Sequence, residues 1–151
     1  NNFMIEMLVK RWGEGRWSSG VQKIQDFYST QLKLSPAQIA IVDGSGLSKD
    51  NRLSAKTLVT ILRAAWFDFE VGPEYISSLK IEGGEPFKLR RNDPELTRRL
   101  RMKSGYLNQT RSLTGYLQLK NGDIRAFAVI LNGPSNEDDL WDVIERWADA
   151  S

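Results

Sequence analysis

The chain has 151 residues, 40% of them hydrophobic and 26% charged, the size and balance of one globular domain that can bury a single core. Cysteine and histidine are both absent, which excludes disulfides, thiolate nucleophiles, a Ser-His-Asp triad completed within these residues, and any zinc site not built from carboxylates. A formal net charge of +2 is too small to argue for nucleic acid by its sum, and no apolar run approaches the ~20 residues of a membrane-spanning helix. Acid–base work must therefore use Lys, Tyr, Asp or Glu. The opening Asn1-Asn2-Phe3-Met4 has no initiator Met, no basic n-region and no signal-peptide core, so the chain reads as an interior piece of something longer.

In chain order, Phe3, Met4, Met7, Leu8 and Arg11 recur at helical spacing and predict an apolar helix over 3–12, closed by Gly13 and Gly15. A second helix follows, with Ser18 or Ser19 able to cap it and Val21, Ile24, Phe27, Tyr28 and Leu32 on one face. Pro36 ends it, and Ile39-Ala40-Ile41-Val42 reads as a short buried strand entering the loop Asp43-Gly44-Ser45-Gly46. Ser54 caps a third helix from Ala55 to about Trp66, with Leu58, Ile61, Leu62 and Ala65 inward. Between 67 and 97 periodicity is lost among Gly72, Pro73, Gly83, Gly84, Pro86 and Pro94, which predicts mostly loop with a short helix near Tyr75 to Leu79.

Three strands are then predicted: Leu96 to Ser104, Ser112 to Leu119 and Ile124 to Leu131. The last two are joined through Lys120-Asn121-Gly122-Asp123, where Asn-Gly supplies the positive backbone angles of a tight hairpin. A final helix starts at Ser135, with Asp138 completing a capping box, Glu137 and Asp139 suited to the positive helix end, and Leu140, Val143, Ile144 and Trp147 inward. Helices, then an antiparallel sheet of at least three strands, then a helix covering it make an α+β fold.

Lys103-Ser104-Gly105 ends a predicted strand. There an ammonium and a hydroxyl can line a cleft, while glycine admits a peptide lying antiparallel along the strand edge. Taken alone, such a triplet is more often a solvated turn. Arg99, Arg101 and Lys103 alternate and share one strand face, with Lys88, Arg90, Arg91 and Arg98 nearby. This is either an ordinary solvated face or a patch that attracts acidic peptides; it lacks the clustered aromatics of a nucleic-acid platform. Asp43-Gly44-Ser45-Gly46-Leu47-Ser48 is neither a nucleophile elbow nor a phosphate loop, since the required glycines and the Gly-Lys-Ser/Thr ending are missing. It reads as a tight turn in which Ser45 and Ser48 are structural.

Three segments together resemble one family: Lys103-Ser104-Gly105-Tyr106-Leu107 followed by Ser112-Leu113-Thr114-Gly115-Tyr116-Leu117; Asp43 to Ser48 with Asn51; and Asn1-Asn2-Phe3-Met4-Ile5-Glu6-Met7-Leu8. They are similar, in the same order, to the class C D-alanyl-D-alanine carboxypeptidases and endopeptidases of the penicillin-binding protein 4 type, whose Lys-Thr-Gly signature has serine for threonine here. The resemblance implies that residues 1–151 are the C-terminal part of a β-lactamase/transpeptidase-like fold, an antiparallel sheet flanked by helices. It implies a serine nucleophile in a Ser-x-x-Lys motif that attacks the carbonyl between two D-alanines. No such motif is credible here: Ser35 and Ser45 have no lysine three residues on, and Ser77-Ser78-Leu79-Lys80 falls in the wrong place. The nucleophile-bearing N-terminal part is therefore expected upstream of Asn1, and the chain by itself is expected to be inactive.

By the same resemblance Lys103 stabilises the substrate carboxylate and the proton relay, Ser104 donates to that carboxylate, Gly105 admits the peptide, and Tyr106 gives its backbone N–H to an oxyanion hole. Asn2 looks like the asparagine of a Ser-x-Asn motif that orients the substrate and the catalytic lysine, although asparagine also serves there as a helix cap. The expected partners are peptidoglycan peptides ending in D-Ala-D-Ala, β-lactams, and the missing N-terminal segment, which should cover apolar surface left on the Phe3 helix and the sheet. No cofactor, metal, nucleic acid or transmembrane segment is expected, and the location is periplasmic or extracytoplasmic in a bacterium. A non-catalytic peptide-binding relative and a β-lactamase are the alternatives, the second fitting Asp43 to Ser48 less well.

Overall fold

The computed structural model describes residues 1–79 and 94–149, in two compact units, Asn1–Thr57 and Leu58–Ser151. The predicted loop at Gly83, Gly84 and Pro86, and the basic residues Lys88, Arg90 and Arg91, lie outside the described residues.

In the first unit, α1 (Asn2–Trp12) is followed by α2 (Trp17–Gln31). Asn1 caps α1, its Oδ1 accepting from the Met4 N–H at 3.3 Å, while Lys10 and Arg11 in the last turn oppose the negative end of the helix dipole. The two helices meet at glycine. A Cβ on Gly20 would lie 2.0 Å from the Val9 carbonyl oxygen, and one on Gly13 would lie 2.3 Å from the Gly20 nitrogen, so only glycine permits this approach. Ser18 and Ser19 lie inside α2 rather than capping it; Arg16 is the N-cap and supplies no side-chain bond. Phe3, Met4, Met7 and Leu8 are all exposed, Phe3 at 74%, so the described residues leave an apolar face of α1 uncovered.

The strand expected over 39–42 shortens to β1 (Ile39–Ala40), which pairs antiparallel with β2 (Arg52–Leu53). The ladder stops there because side chains satisfy the next donors: the Ile41 N–H donates to Gln25 Oε1 at 3.3 Å and the Val42 N–H to Asn51 Oδ1 at 2.8 Å. Helix α3 (Ala55–Phe67) starts as predicted, with Ser54 Oγ accepting from the Thr57 N–H at 3.0 Å. Of its four predicted inward residues, Leu62 is fully buried and Leu58, Ile61 and Ala65 are half-buried.

In the second unit α4 (Gly72–Ser78) begins earlier than the short helix expected near Tyr75, with Pro73 in its first turn. The strand expected from Leu96 is corrected at its start, since α5 (Pro94–Arg99) occupies those residues. Glu95 at the positive end and Arg98 and Arg99 at the negative end favour a helical turn over extended chain. Then β3 (Leu100–Leu107), β4 (Thr110–Gln118) and β5 (Ile124–Asn132) form an antiparallel sheet in that order. Gly115 stands opposite Met102, and a Cβ there would lie 2.0 Å from the Arg101 carbonyl oxygen and 2.7 Å from the Met102 Cα, so β4 approaches β3 too closely for any side chain. The β4–β5 hairpin forms where Asn121-Gly122 predicts it. Only Gly122 takes a positive φ, of 91°, while Asn121 Oδ1 accepts from the Asp123 N–H at 2.9 Å.

Helix α6 (Glu137–Asp149) covers one face of this sheet. Leu100 and Met102, Leu113 and Leu117, Phe127 and Val129 point from the three strands into a core closed by Leu140, Trp141, Ile144 and Ala148. The cap lies one residue beyond the predicted box: Asp139 N–H donates to Asn136 Oδ1 at 3.0 Å and Asn136 N–H to Asp139 Oδ2 at 2.9 Å. The buried stripe runs 140, 141, 144, 148, so Trp141 (1% exposed) rather than the predicted Trp147 (42%) fills the core. On the other face Tyr116 donates its hydroxyl to the Leu62 carbonyl of α3 at 2.6 Å, and its ring centroid lies 5.2 Å from that of Trp66. The sheet is thus flanked by helices, as expected. No helix among the described residues is long and apolar enough to cross a membrane.

Candidate active site

Strand β3 is at an edge of the sheet, and its last half carries Lys103, Ser104, Gly105 and Tyr106. Its buried start anchors it: Leu100 and Met102 are core residues, and the ladder to β4 pairs Lys103 with Thr114, Ser104 with Leu113, Gly105 with Ser112 and Tyr106 with Arg111. Strand alternation puts Lys103 and Gly105 on one face and Ser104 and Tyr106 on the other. Ammonium and hydroxyl therefore reach a common ligand only along the strand edge.

Lys103 is exposed, and its Nζ donates to the Ser104 carbonyl oxygen. No carboxylate pairs with it among the described residues. The half-buried Ser104 hydroxyl has no hydrogen-bond partner there either. Gly105 has a structural reason of its own, because a Cβ would stand 2.5 Å from Ser112 Oγ across the ladder. Tyr106 is 68% exposed, with the Arg111 guanidinium over its ring, carbon to centroid 4.5 Å. Sequence reasoning missed this arginine; the signal was the two-residue turn Asn108-Gln109, which sets Leu107 against Thr110 and hence Tyr106 against Arg111.

The basic strand face is corrected. Arg99 is the last residue of α5, and its Nη1 donates to the carbonyls of Gln118 and Ala148 at 3.1 and 3.4 Å. Arg101 Nη1 donates to the Arg98 and Leu100 carbonyls at 3.2 and 2.8 Å. All three cations bond backbone carbonyls, and of the three only Lys103 is exposed, at the strand end.

Asn2 lies in the first unit, at the first position of α1 and exposed. It is not the cap, which is Asn1. The Asp43 to Ser48 segment is a turn, as predicted. Asp43 Oδ1 accepts from Gly46 N–H and from Asn51 Nδ2 at 2.8 and 2.7 Å, and its Oδ2 from Ser48 N–H at 2.6 Å. Gly46 takes φ +77° and needs glycine. Glu6 Oε1 of α1 receives the Gly44 and Ser45 N–H groups at 3.2 and 2.8 Å, an anchor with no local sequence signal because the partners are 38 and 39 residues apart.

Solved structures share the fold. Penicillin binding protein 4 from Haemophilus influenzae superposes with a TM-score of 0.80 over 97% of this chain and 37% of that one, at 19% identity. A structure of the same protein complexed with a novel β-lactam gives 0.71 over 91% of this chain and 32% of that one, at 22% identity. The fold is that of the penicillin-binding proteins, α+β. The D-Ala-D-Ala carboxypeptidase 3 (S13) family profile matches residues 1–150, and the chain belongs to that family. It is 30% identical over 154 residues to a D-alanyl-D-alanine carboxypeptidase of Actinomadura sp. (strain R39), covering 89% of this chain and 27% of that protein. It is 36% identical over 115 residues to carboxypeptidase Rv3627c of Mycobacterium tuberculosis, covering 68% of this chain and 24% of that protein. The chain thus spans about a quarter of the length of these relatives.

Proposed function

We propose that this chain is the C-terminal half of the transpeptidase-like domain of a serine-type D-Ala-D-Ala carboxypeptidase or endopeptidase, which cleaves peptidoglycan stem peptides outside the cytoplasmic membrane and is acylated by β-lactams. The nucleophile lies in a Ser-x-x-Lys motif on residues outside this chain. The observation that carries the reading is the edge strand β3 of an S13 family member, where the Lys103 ammonium is bonded only to its own strand and the Ser104 hydroxyl has no partner among the described residues.

A peptide lying antiparallel along β3 meets both groups at its terminal carboxylate. The serine oxygen adds to the carbonyl carbon between the two D-alanines while its proton passes to a base. The C–N bond then breaks, D-alanine leaves as the amine with that proton, and water cleaves the ester to return acid and serine. The Tyr106 backbone N–H stabilises the oxyanion, Gly105 leaves room for the peptide, and Asn2 orients the peptide backbone. The N-terminal segment also covers the apolar face of α1. The test is labelling of the full-length protein by fluorescent penicillin, together with D-alanine release from a D-Ala-D-Ala peptide. Labelling and release that both vanish when the upstream serine becomes alanine support the enzyme; a protein that binds the peptide but is never acylated is a binding relative instead.

A further inference from the structure

The hairpin that follows the Lys-Ser-Gly triplet holds a second cation in an unusual setting. Arg111 stands opposite Tyr106 in the β3–β4 ladder, and Ser104 shares that face about 6–7 Å along the strand. The Arg111 guanidinium lies over the Tyr106 ring at 4.5 Å, and its Nε–H donates to the Ser135 carbonyl at 2.9 Å. Ring and carbonyl thus fix the plane from two sides without neutralising it. Among the described residues no carboxylate pairs with Arg111, and neither of its Nη atoms makes a hydrogen bond. A long side chain normally surrenders rotamer freedom when it captures a ligand; this one has already done so. Its two free Nη groups present the planar fork that matches a carboxylate bidentately.

We infer that Arg111 binds a carboxylate of the peptide substrate on the face shared with Ser104, with Tyr106 as the platform that holds its guanidinium in place. The inference rests on the proposed peptide chemistry. The carboxylate is either the C-terminal one or that of an acidic residue further back in the stem peptide, and the two sources separate experimentally.

The test is calorimetric binding to the full-length protein of three peptides: one ending in D-Ala-D-Ala, its C-terminal amide, and a version with the interior acidic side chain amidated. Wild type should prefer the free acid over one of the amides by about 10–100-fold, the contribution of a charge-assisted pair, and the amide whose penalty depends on Arg111 names the carboxylate it reads. Arg111→Ala should erase a preference for the interior acid, or shrink by about 10-fold a preference for the C-terminal acid, which Lys103 and Ser104 also read, whereas Arg111→Lys, which keeps the charge and loses the fork, should retain part of it. Tyr106→Phe should preserve it and Tyr106→Ser weaken it. Equal binding of all three peptides by wild type overturns the inference, as does a preference that Arg111→Ala leaves unchanged. A loss shared by every peptide marks a structural role and also overturns it. Penicillin labelling of wild type reads the proposed activity separately: labelling without any acid preference refutes only the role of Arg111, and an Arg111-dependent preference without labelling upholds that role while refuting the hydrolase.

Discussion

Two glycines of the β3–β4 ladder should respond to the same added methyl group in opposite ways. At Gly115 the methyl carbon would lie 2.0 Å from the Arg101 carbonyl oxygen and 2.7 Å from the Met102 Cα. Both are backbone atoms of a strand whose Met102 is locked in the core. A comfortable carbon–oxygen contact is about 3.3–3.6 Å, so β3 must retreat by more than about an ångström, disrupting ladder bonds worth ~1 kcal/mol each on top of the usual ~1–3 kcal/mol of overpacking. Gly115→Ala in the full-length protein should therefore lose about 3 kcal/mol, a fall in thermal midpoint of roughly 6–12 °C at ~2–4 °C per kcal/mol. At Gly105 the methyl would meet only Ser112 Oγ, at 2.5 Å, and a hydroxyl can turn away, so Gly105→Ala should cost under ~1 kcal/mol. Its methyl nevertheless lies where the proposed peptide runs, and penicillin acylation per folded molecule should slow by about 10–100-fold. Adding Ser112→Ala to Gly105→Ala should restore the midpoint but not the acylation rate. Calorimetric melts and fluorescent-penicillin kinetics give both readouts. A Gly115→Ala melt within about 2 °C of wild type, or an equal loss from Gly105→Ala, would refute the close approach of β4 to β3 at Gly115.

Local patterns made most elements legible. The Ser54 cap, the Asn121-Gly122 hairpin and the inward Leu140 and Ile144 each follow from a few neighbouring residues, and each stands in the structure. The misreadings share a cause: chemistry that acts across the chain or through competing local rules. The alternation of Leu100, Arg101, Met102 and Lys103 does not extend back to Leu96, where Glu95 and two arginines complement a helix dipole instead. Asn51 and Gln25 cut β1 short by supplying acceptors from a distance. Leu140 and Ile144 fit either of two overlapping helical stripes, 140/143/144/147 or 140/141/144/148, and the structure buries the second, with Trp141 rather than Trp147 in the core. At the candidate site, Lys103 to Tyr106 stood out through motif and resemblance, whereas Arg111 needed the register. Arg99 and Arg101 looked like part of a basic face, and proved to be half-buried fasteners that donate to backbone carbonyls.

Three further outcomes follow from these contacts. Lys103→Ala should remove most penicillin acylation while shifting stability by under ~0.5 kcal/mol, since the exposed ammonium holds only its own strand; a melt several degrees lower would assign it a structural role. This chain expressed without the upstream residues should release no D-alanine, and penicillin-sensitive turnover would relocate the nucleophile to a serine within it. Finally, Tyr116 should govern alkaline stability. Burial, assisted by Tyr75, pushes its phenol up to about 12 from an ordinary 10, while its hydroxyl proton is committed to the Leu62 carbonyl at 2.6 Å. Below pH ~10 folded and unfolded chains both keep that proton, and its contribution is complete. Between ~10 and ~12 the unfolded chain releases it and the folded chain does not, so stability falls as pH rises, by ~1.4 kcal/mol per unit and roughly 2–3 kcal/mol across the window. Tyr116→Phe should cost ~1 kcal/mol at pH 8 for the lost hydrogen bond and flatten the decline above pH 10. It should not abolish the decline, because burial raises Tyr28 as well. Denaturation of wild type and variant followed from pH 8 to 12 checks this, and parallel curves for the two would show that the Tyr116 hydroxyl does not hold its proton against solvent.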